Sequence, residues 1–146
     1  MTKIFIGADH AGFKLKEKIK KWLLDKKLEV EDVGALKFNP LDDYPDYAEK
    51  VARKTVKEKS LGIVICGSAQ GVCIVANKIK GIRAVVPFST KEAELARKHT
   101  MANILCLSGW YLNPLKAKSL VKTFLTTPFS KEERHIRRVE KIKALE

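Results

Sequence analysis

Five times along the chain, a short apolar run gives way to a longer stretch whose apolar residues recur at helical spacing among lysines and glutamates. The runs are K-I-F-I-G-A (3–8), L-E-V-E-D-V-G (28–34), G-I-V-I-C (62–66), R-A-V-V (83–86) and N-I-L-C-L (103–107). This alternation leaves little freedom of fold. A strand that leads through a helix to the next strand makes a parallel pair, and a parallel sheet must be covered by helices on both faces. The predicted fold is α/β: a Rossmann-like three-layer sandwich with a five-stranded parallel sheet and a C-terminal helix.

The helices read clearly from the pattern. Residues 11–24 put Phe13, Ile19, Trp22 and Leu23 on one face with lysines opposite. Residues 38–45 hold two prolines and read as a loop; a helix follows over 46–59. A further helix runs from the end of the third strand to about residue 78. Ser89 and Glu92 form an S-x-x-E capping box that starts a helix reaching about residue 99. Pro114 fits the first turn of a helix to about residue 125. Pro128 breaks the chain, and Ser130 is placed to cap a last charged helix carrying Ile136, Val139, Ile142 and Leu145. With no repeat and no linker, residues 1–146 read as a single domain.

Charge and cysteine content exclude several classes. Lys plus Arg number 29 against 17 Asp plus Glu, a net charge of +12. The bases are spread over four predicted helices and interleaved with glutamates, as on solvated faces, which argues against nucleic-acid binding. Such a field still attracts a small anion. Three cysteines, with no C-x-x-C pair and no Cys/His cluster, argue against a disulfide framework and against a structural zinc site. Residues 61–77 carry no charge but are interrupted by Gly, Ser, Gln and Asn, so they read as buried strand and turn rather than a membrane span. The N-terminus lacks a signal-peptide layout, and the cytoplasm is the expected location.

Ligands of open α/β sheets bind beyond the carboxyl ends of the strands. Asp9 and His10 follow the first strand there, and Cys66 ends a central strand at the same edge. The loop Gly67-Ser68-Ala69-Gln70-Gly71 then leads into a helix, where main-chain N–H groups suit an anion and favour a thiolate over a thiol. It is neither a Walker A loop nor G-x-G-x-x-G. A cysteine at a strand end is more often core than catalytic, and an Asp-His pair can simply cap a helix. Their meeting at one edge supplies acid/base capacity where ligand should bind. Arg134 and Arg138, four apart, can grip a phosphate from one helix face or merely solvate it. His99 ends a helix antiparallel to the strands, so within one subunit it lies far from Cys66. It is either a helix C-terminal cap or part of a site completed by a second subunit.

G-A-D-H-A-G-F-K-L-K at 7–16, D-Y-P-D-Y-A at 43–48, I-C-G-S-A-Q-G at 65–71, A-N-K-I-K-G-I-R-A at 76–84, H-T-M-A-N-I-L at 99–105 and R-H-x-x-R at 134–138 occur together in this order. In these motifs the chain resembles the type B ribose-5-phosphate isomerase family, which also contains galactose-6-phosphate and allose-6-phosphate isomerases. The resemblance implies aldose–ketose isomerisation of a sugar phosphate through an enediolate, with no cofactor and no metal. It implies Cys66 as the carbon-proton base. Ser68 and the N–H groups of Gly67, Ala69, Gln70 and Gly71 would hold the enediolate. His99, with Asp9, would open the ring, and His10, Arg134 and Arg138 would hold the phosphate. It also implies a homodimer or tetramer in which His99 comes across the interface. Departures fall at Thr100, Met101, Trp110 and Ala69, where the family commonly has Asn, Asp, Arg and Gly. A hexose 6-phosphate isomerase, or a non-catalytic sugar-phosphate or nucleic-acid binder on the same fold, are the alternatives.

Overall fold

The structure, a computed structural model, describes residues 2–146. Its strands are β1 (Ile4–Ala8), β2 (Val30–Asp32), β3 (Leu61–Cys66), β4 (Ala84–Val85) and β5 (Ile104–Ser108). Its helices are α1 (His10–Asp25), α2 (Tyr44–Lys57), α3 (Gln70–Asn77), α4 (Thr90–Thr100), α5 (Pro114–Thr126) and α6 (Glu133–Lys143). All pairings are parallel, in the order β2-β1-β3-β5-β4. The predicted five-stranded parallel sheet with a C-terminal helix is what forms.

The period of two along each strand splits the core into two layers. Ile4, Ile6, Ala8, Ile63, Ile65, Leu105 and Leu107 face α1, α5 and Ala93 of α4. Phe5, Val64, Cys66, Ile104 and Cys106 face α2 and α3 through Ala48, Val51, Ala52, Val72 and Ala76. Both faces of the central strands are thus buried, which is why β3 reads as an unbroken apolar run. The last helix, α6, packs on α4 rather than on the sheet.

Three local expectations are corrected. First, α2 begins at Tyr44, two residues before the predicted start, because Pro45 fits a first turn whose N–H groups are unpaired anyway. Second, Ser130 does not cap α6. Glu132 takes that position, while Ser130 Oγ accepts the Glu132 N–H at 3.2 Å and contacts His135 Nδ1 at 2.6 Å.

Third, Lys16 is not on the solvated face of α1. Its side chain is fully buried, and its ammonium donates to Asp32 Oδ2 and to the Ala35 carbonyl, both at 2.6 Å. Lys20 joins the same Asp32 oxygen at 2.7 Å. Burial alone would raise the Asp32 pKa, but the two ammoniums outweigh it and hold the carboxyl below its ordinary value. This cluster fastens α1 to the turn that follows β2.

Candidate active site

The chain leaves β1 towards β2 on one side and returns to β3 on the other, so the sheet order reverses between β1 and β3. Their carboxyl ends frame the crevice where such sheets take ligands. Asp9 leaves β1 with its N–H on the Ile65 carbonyl at 3.3 Å and caps α1 by accepting the Gly12 N–H at 3.1 Å. Burial pushes the Asp9 carboxyl up, and the Gly12 N–H only partly offsets that. The cap and the raised pKa belong to one side chain.

Cys66 ends β3 with 4% of its surface exposed, against the α2 and α3 layer. The loop beyond it is tied to the end of β5. Cys66 O accepts the Gly109 N–H at 2.8 Å, and Gly67 O accepts the Ser108 hydroxyl at 2.6 Å and the Trp110 N–H at 3.1 Å. A side chain at residue 67 would overlap the Trp110 ring, and one at residue 71 the Tyr44 ring. That explains both glycines: aromatic walls stand directly on them. Ala69 precedes α3 at φ 69°, in the left-handed region that glycine occupies without strain. Ser68 Oγ accepts the Gln70 N–H at 3.3 Å. Of the first-turn N–H groups of α3, that of Gln70 is thus taken by Ser68, while those of residues 71 and 72 have no partner within the helix and suit an oxyanion.

The residue that sequence reasoning missed at this edge is Asp42. Its Oδ1 accepts the His10 main-chain N–H at 2.9 Å and lies 2.8 Å from His10 Nδ1. The hydrogen bond to Asp42, and then the charges of Asp9 and Asp42, raise the His10 pKa. Among the described residues, Asp9, His10 and Asp42 are the one group whose possible metal-ligating atoms come within 4.8 Å of one another. The His10–Asp42 contact already makes two of them a hydrogen-bonded pair.

The remaining predicted groups stand elsewhere. Helix α4 starts just beyond β4, runs back for roughly 16 Å, and delivers His99 to the amino edge of the sheet, before β5 begins. The His99 ring stacks on His135 of α6, with centroids 4.2 Å apart. His99 is not the helix cap: Met101 closes α4 in the left-handed region, and Arg83 takes the Thr100 and Met101 carbonyls at 2.9 and 3.0 Å. Arg134 and Arg138 lie on α6 at the same end, Arg134 paired with exposed Glu132 at 3.0 Å. Thr100 Oγ1 is turned back onto the Ala96 carbonyl. One chain therefore brings together Asp9, His10, Cys66, Gly67, Ser68, Ala69, Gln70 and Gly71, and groups His99, Arg134 and Arg138 separately.

Of the other cysteines, Cys106 is buried and its thiol is pushed up by that burial. Cys73 is half-buried; the Cys106 thiol beside it pulls it down to about 7. A cavity of about 680 Å³ at the amino edge, lined by Lys59, Lys80, Arg83, Arg97 and Lys143 among others, holds none of the predicted groups. Among the described residues, no helix is long and apolar enough to cross a membrane.

Comparison with known proteins bears on this arrangement. Residues 4–142 match the family described as Ribose/Galactose Isomerase. A probable ribose-5-phosphate isomerase B of Mycoplasma pneumoniae is 46% identical over 98% of this chain and 94% of its own length. Ribose-5-phosphate isomerase B of Mycobacterium tuberculosis is 40% identical over 94% of this chain and 86% of its own. Among solved structures, ribose-5-phosphate isomerase B of Mycoplasma genitalium, with bound ribulose 5-phosphate, superposes with a TM-score of 0.94 at 43% identity, covering 98% of this chain and 95% of that one. The type B enzyme of Trypanosoma brucei gives 0.94 at 42% identity, covering 100% of both.

Proposed function

Since the chain belongs to the ribose/galactose isomerase family, we propose that it interconverts ribose 5-phosphate and ribulose 5-phosphate through an enediolate, with Cys66 as the base. The observation that carries the reading is the meeting of a thiol, a glycine-lined N–H cradle and a raised-pKa carboxyl at one sheet edge, in a chain whose close relative binds ribulose 5-phosphate.

Each step has a group suited to it. Proton transfer between carbons 1 and 2 needs a base over the carbon; the Cys66 thiolate takes the carbon 2 proton and returns it to carbon 1. The developing oxyanion needs fixed donors, supplied by Ser68 and the N–H groups of residues 67–71. The Gly67 carbonyl and the Trp110 ring hold the loop in place, and the Gln70 N–H exchanges its bond to Ser68 for the substrate. Ring opening needs an acid/base pair, His99 and Asp9. The phosphate needs cations: His10, which Asp42 and Asp9 favour in its charged form, and Arg134 and Arg138.

His99, Arg134 and Arg138 stand at the opposite end of the chain from Cys66. The reading therefore includes a homodimer in which one protomer supplies the Cys66 edge and its partner supplies the α4–α6 end, each single-domain chain carrying two half-sites. The reading places this activity in the cytoplasm and in the pentose phosphate pathway; three free cysteines suit a reducing compartment.

The test is proton NMR of ribose 5-phosphate with the protein in deuterated water. Ribulose 5-phosphate forms and deuterium enters at carbon 1 or 2; Cys66→Ala does neither. Full turnover by Cys66→Ala would refute the mechanism. Turnover of allose or galactose 6-phosphate in place of the pentose would favour the hexose reading, for which exposed Trp110 against Gly67 is the motivating feature.

A further inference from the structure

His10 is held in an unusual way. A single oxygen, Asp42 Oδ1, takes both its main-chain N–H at 2.9 Å and its ring Nδ1 at 2.8 Å. The two residues are 32 positions apart, so the contact ties the start of α1 to the loop that leads into α2. The Asp42 side chain is only 5% exposed, while the His10 side chain is 39% exposed. The carboxylate is hidden behind the ring, and the ring's outer part, with Nε2, remains open to ligand. The second Asp42 oxygen, Oδ2, is buried with no hydrogen-bond partner. A buried carboxylate with one bare oxygen is costly unless a cation stands against it. The group that can carry a positive charge against it is the His10 ring, 2.8 Å from its other oxygen.

We propose that Asp42 is a positioning residue for substrate phosphate: it clamps His10 in one ring orientation and one charge state, leaving Nε2–H as a cationic donor to a phosphate oxygen. The inference rests on the reading of His10 as a phosphate ligand. Asp42 touches no substrate atom; it acts through His10.

The surrounding charges agree. Asp42 and Asp9 face the ring, and both favour the imidazolium. Tyr47, on α2, stands beyond Asp42; burial and then the Asp42 carboxylate push its phenol up, so it stays neutral. No cation lies among the groups that shift His10. Binding a phosphate dianion thus places a positive ring between two anions, with the protein's own carboxylate already in position before ligand arrives.

Two substitutions separate geometry from charge. Asp42→Asn keeps an oxygen acceptor and removes the charge; Asp42→Ala removes both. The readouts are the NMR titration of the His10 ring and the pH dependence of KM and kcat for ribose 5-phosphate, with inorganic phosphate as a competitive inhibitor. In Asp42→Asn the His10 titration moves down. At about pH 7, just above the ordinary histidine value, KM and the inhibition constant of phosphate rise roughly ten-fold while kcat changes little, as expected for losing one charge-assisted hydrogen bond. At about pH 5.5, below the ordinary histidine value of roughly 6.5, His10 is protonated in both proteins and the gap closes. Asp42→Ala loses binding at both pH values, because the ring is no longer oriented.

An unchanged His10 titration in both variants overturns the proposal, even if stability falls. So does a loss of kcat with KM unchanged. If the unaltered protein does not turn over ribose 5-phosphate, the functional reading fails separately. The His10 titration and phosphate binding then still decide whether Asp42 controls the ring.

Discussion

At the carboxyl edge of the sheet, the Cys66 loop is fixed by the sheet itself. Its carbonyls are taken by the end of β5, and aromatic rings stand on its glycines. At the amino edge, His99, Arg134 and Arg138 are fixed only by helix against helix: α6 packs on α4, and His99 stacks on His135. The first region is a preformed loop that sets a buried thiol at the start of α3. The second is a set of cationic and titratable side chains with nothing to act on nearby. A parallel sheet enforces this separation, because every crossover helix ends at the edge opposite the one where its strand ended. Chemistry that needs both sets must bring two edges together, and only a second chain can do that.

Removing chemistry from either region should have the largest effect. Cys66→Ala and His99→Ala are each expected to lower kcat/KM on ribose 5-phosphate by roughly 10²–10⁴-fold, the usual worth of a positioned acid or base. A large loss in one and none in the other would break the equivalence of the two halves. The next effect concerns what anchors the first region. Lys16→Met leaves Asp32 buried beside Lys20 alone and releases the Ala35 carbonyl. Breaking a buried pair costs about 3–5 kcal/mol, which urea denaturation would register. Since the folded Asp32 pKa is depressed, its stabilising contribution is present above the unfolded value. It is lost as pH falls through the folded one. The variant should therefore show a flatter acid limb than the parent.

The smallest effect distinguishes the regions by proton affinity. His10 is raised by its Asp42 hydrogen bond, whereas His135 is lowered by burial and then by His99 beside it. NMR titration should find the two on opposite sides of the ordinary histidine value of roughly 6.5. Their stability contributions have opposite sign. That of His10 is fully present below its unfolded value and is lost as pH rises through its folded value. That of His135 is lost as pH falls through the unfolded value, because the unfolded chain then takes a proton that the folded one refuses. His135→Gln should flatten the second effect in thermal melts across that range and leave the first. Both histidines titrating together would remove the distinction.

The first region was largely legible in the sequence, because its parts are local: Asp9-His10 and residues 66–71 each follow directly from a strand. Asp42 was not, since it reaches His10 from a loop 32 positions away and looks like any turn aspartate. Lys16 was not, since helical periodicity places it among solvated lysines and only the Asp32 and Ala35 oxygens make its burial tolerable. For the second region the direction of α4 was readable, and it placed His99 at the wrong edge for a one-chain site. That Arg134 and Arg138 share its end was not readable, because the course of α6 is set by packing on α4 rather than by a strand.

The central claim is that an active site joins the Cys66 edge of one chain to the α4–α6 end of another. Inactive Cys66→Ala and inactive His99→Ala protein should be mixed, unfolded and refolded together, and assayed on ribose 5-phosphate. Random pairing in a two-fold dimer makes half the molecules mixed, each with one intact site, so about a quarter of normal turnover returns. Recovery near that level is the predicted result. No recovery from a mixture shown to contain mixed dimers would contradict it, and would place both residues in a site formed within a single chain.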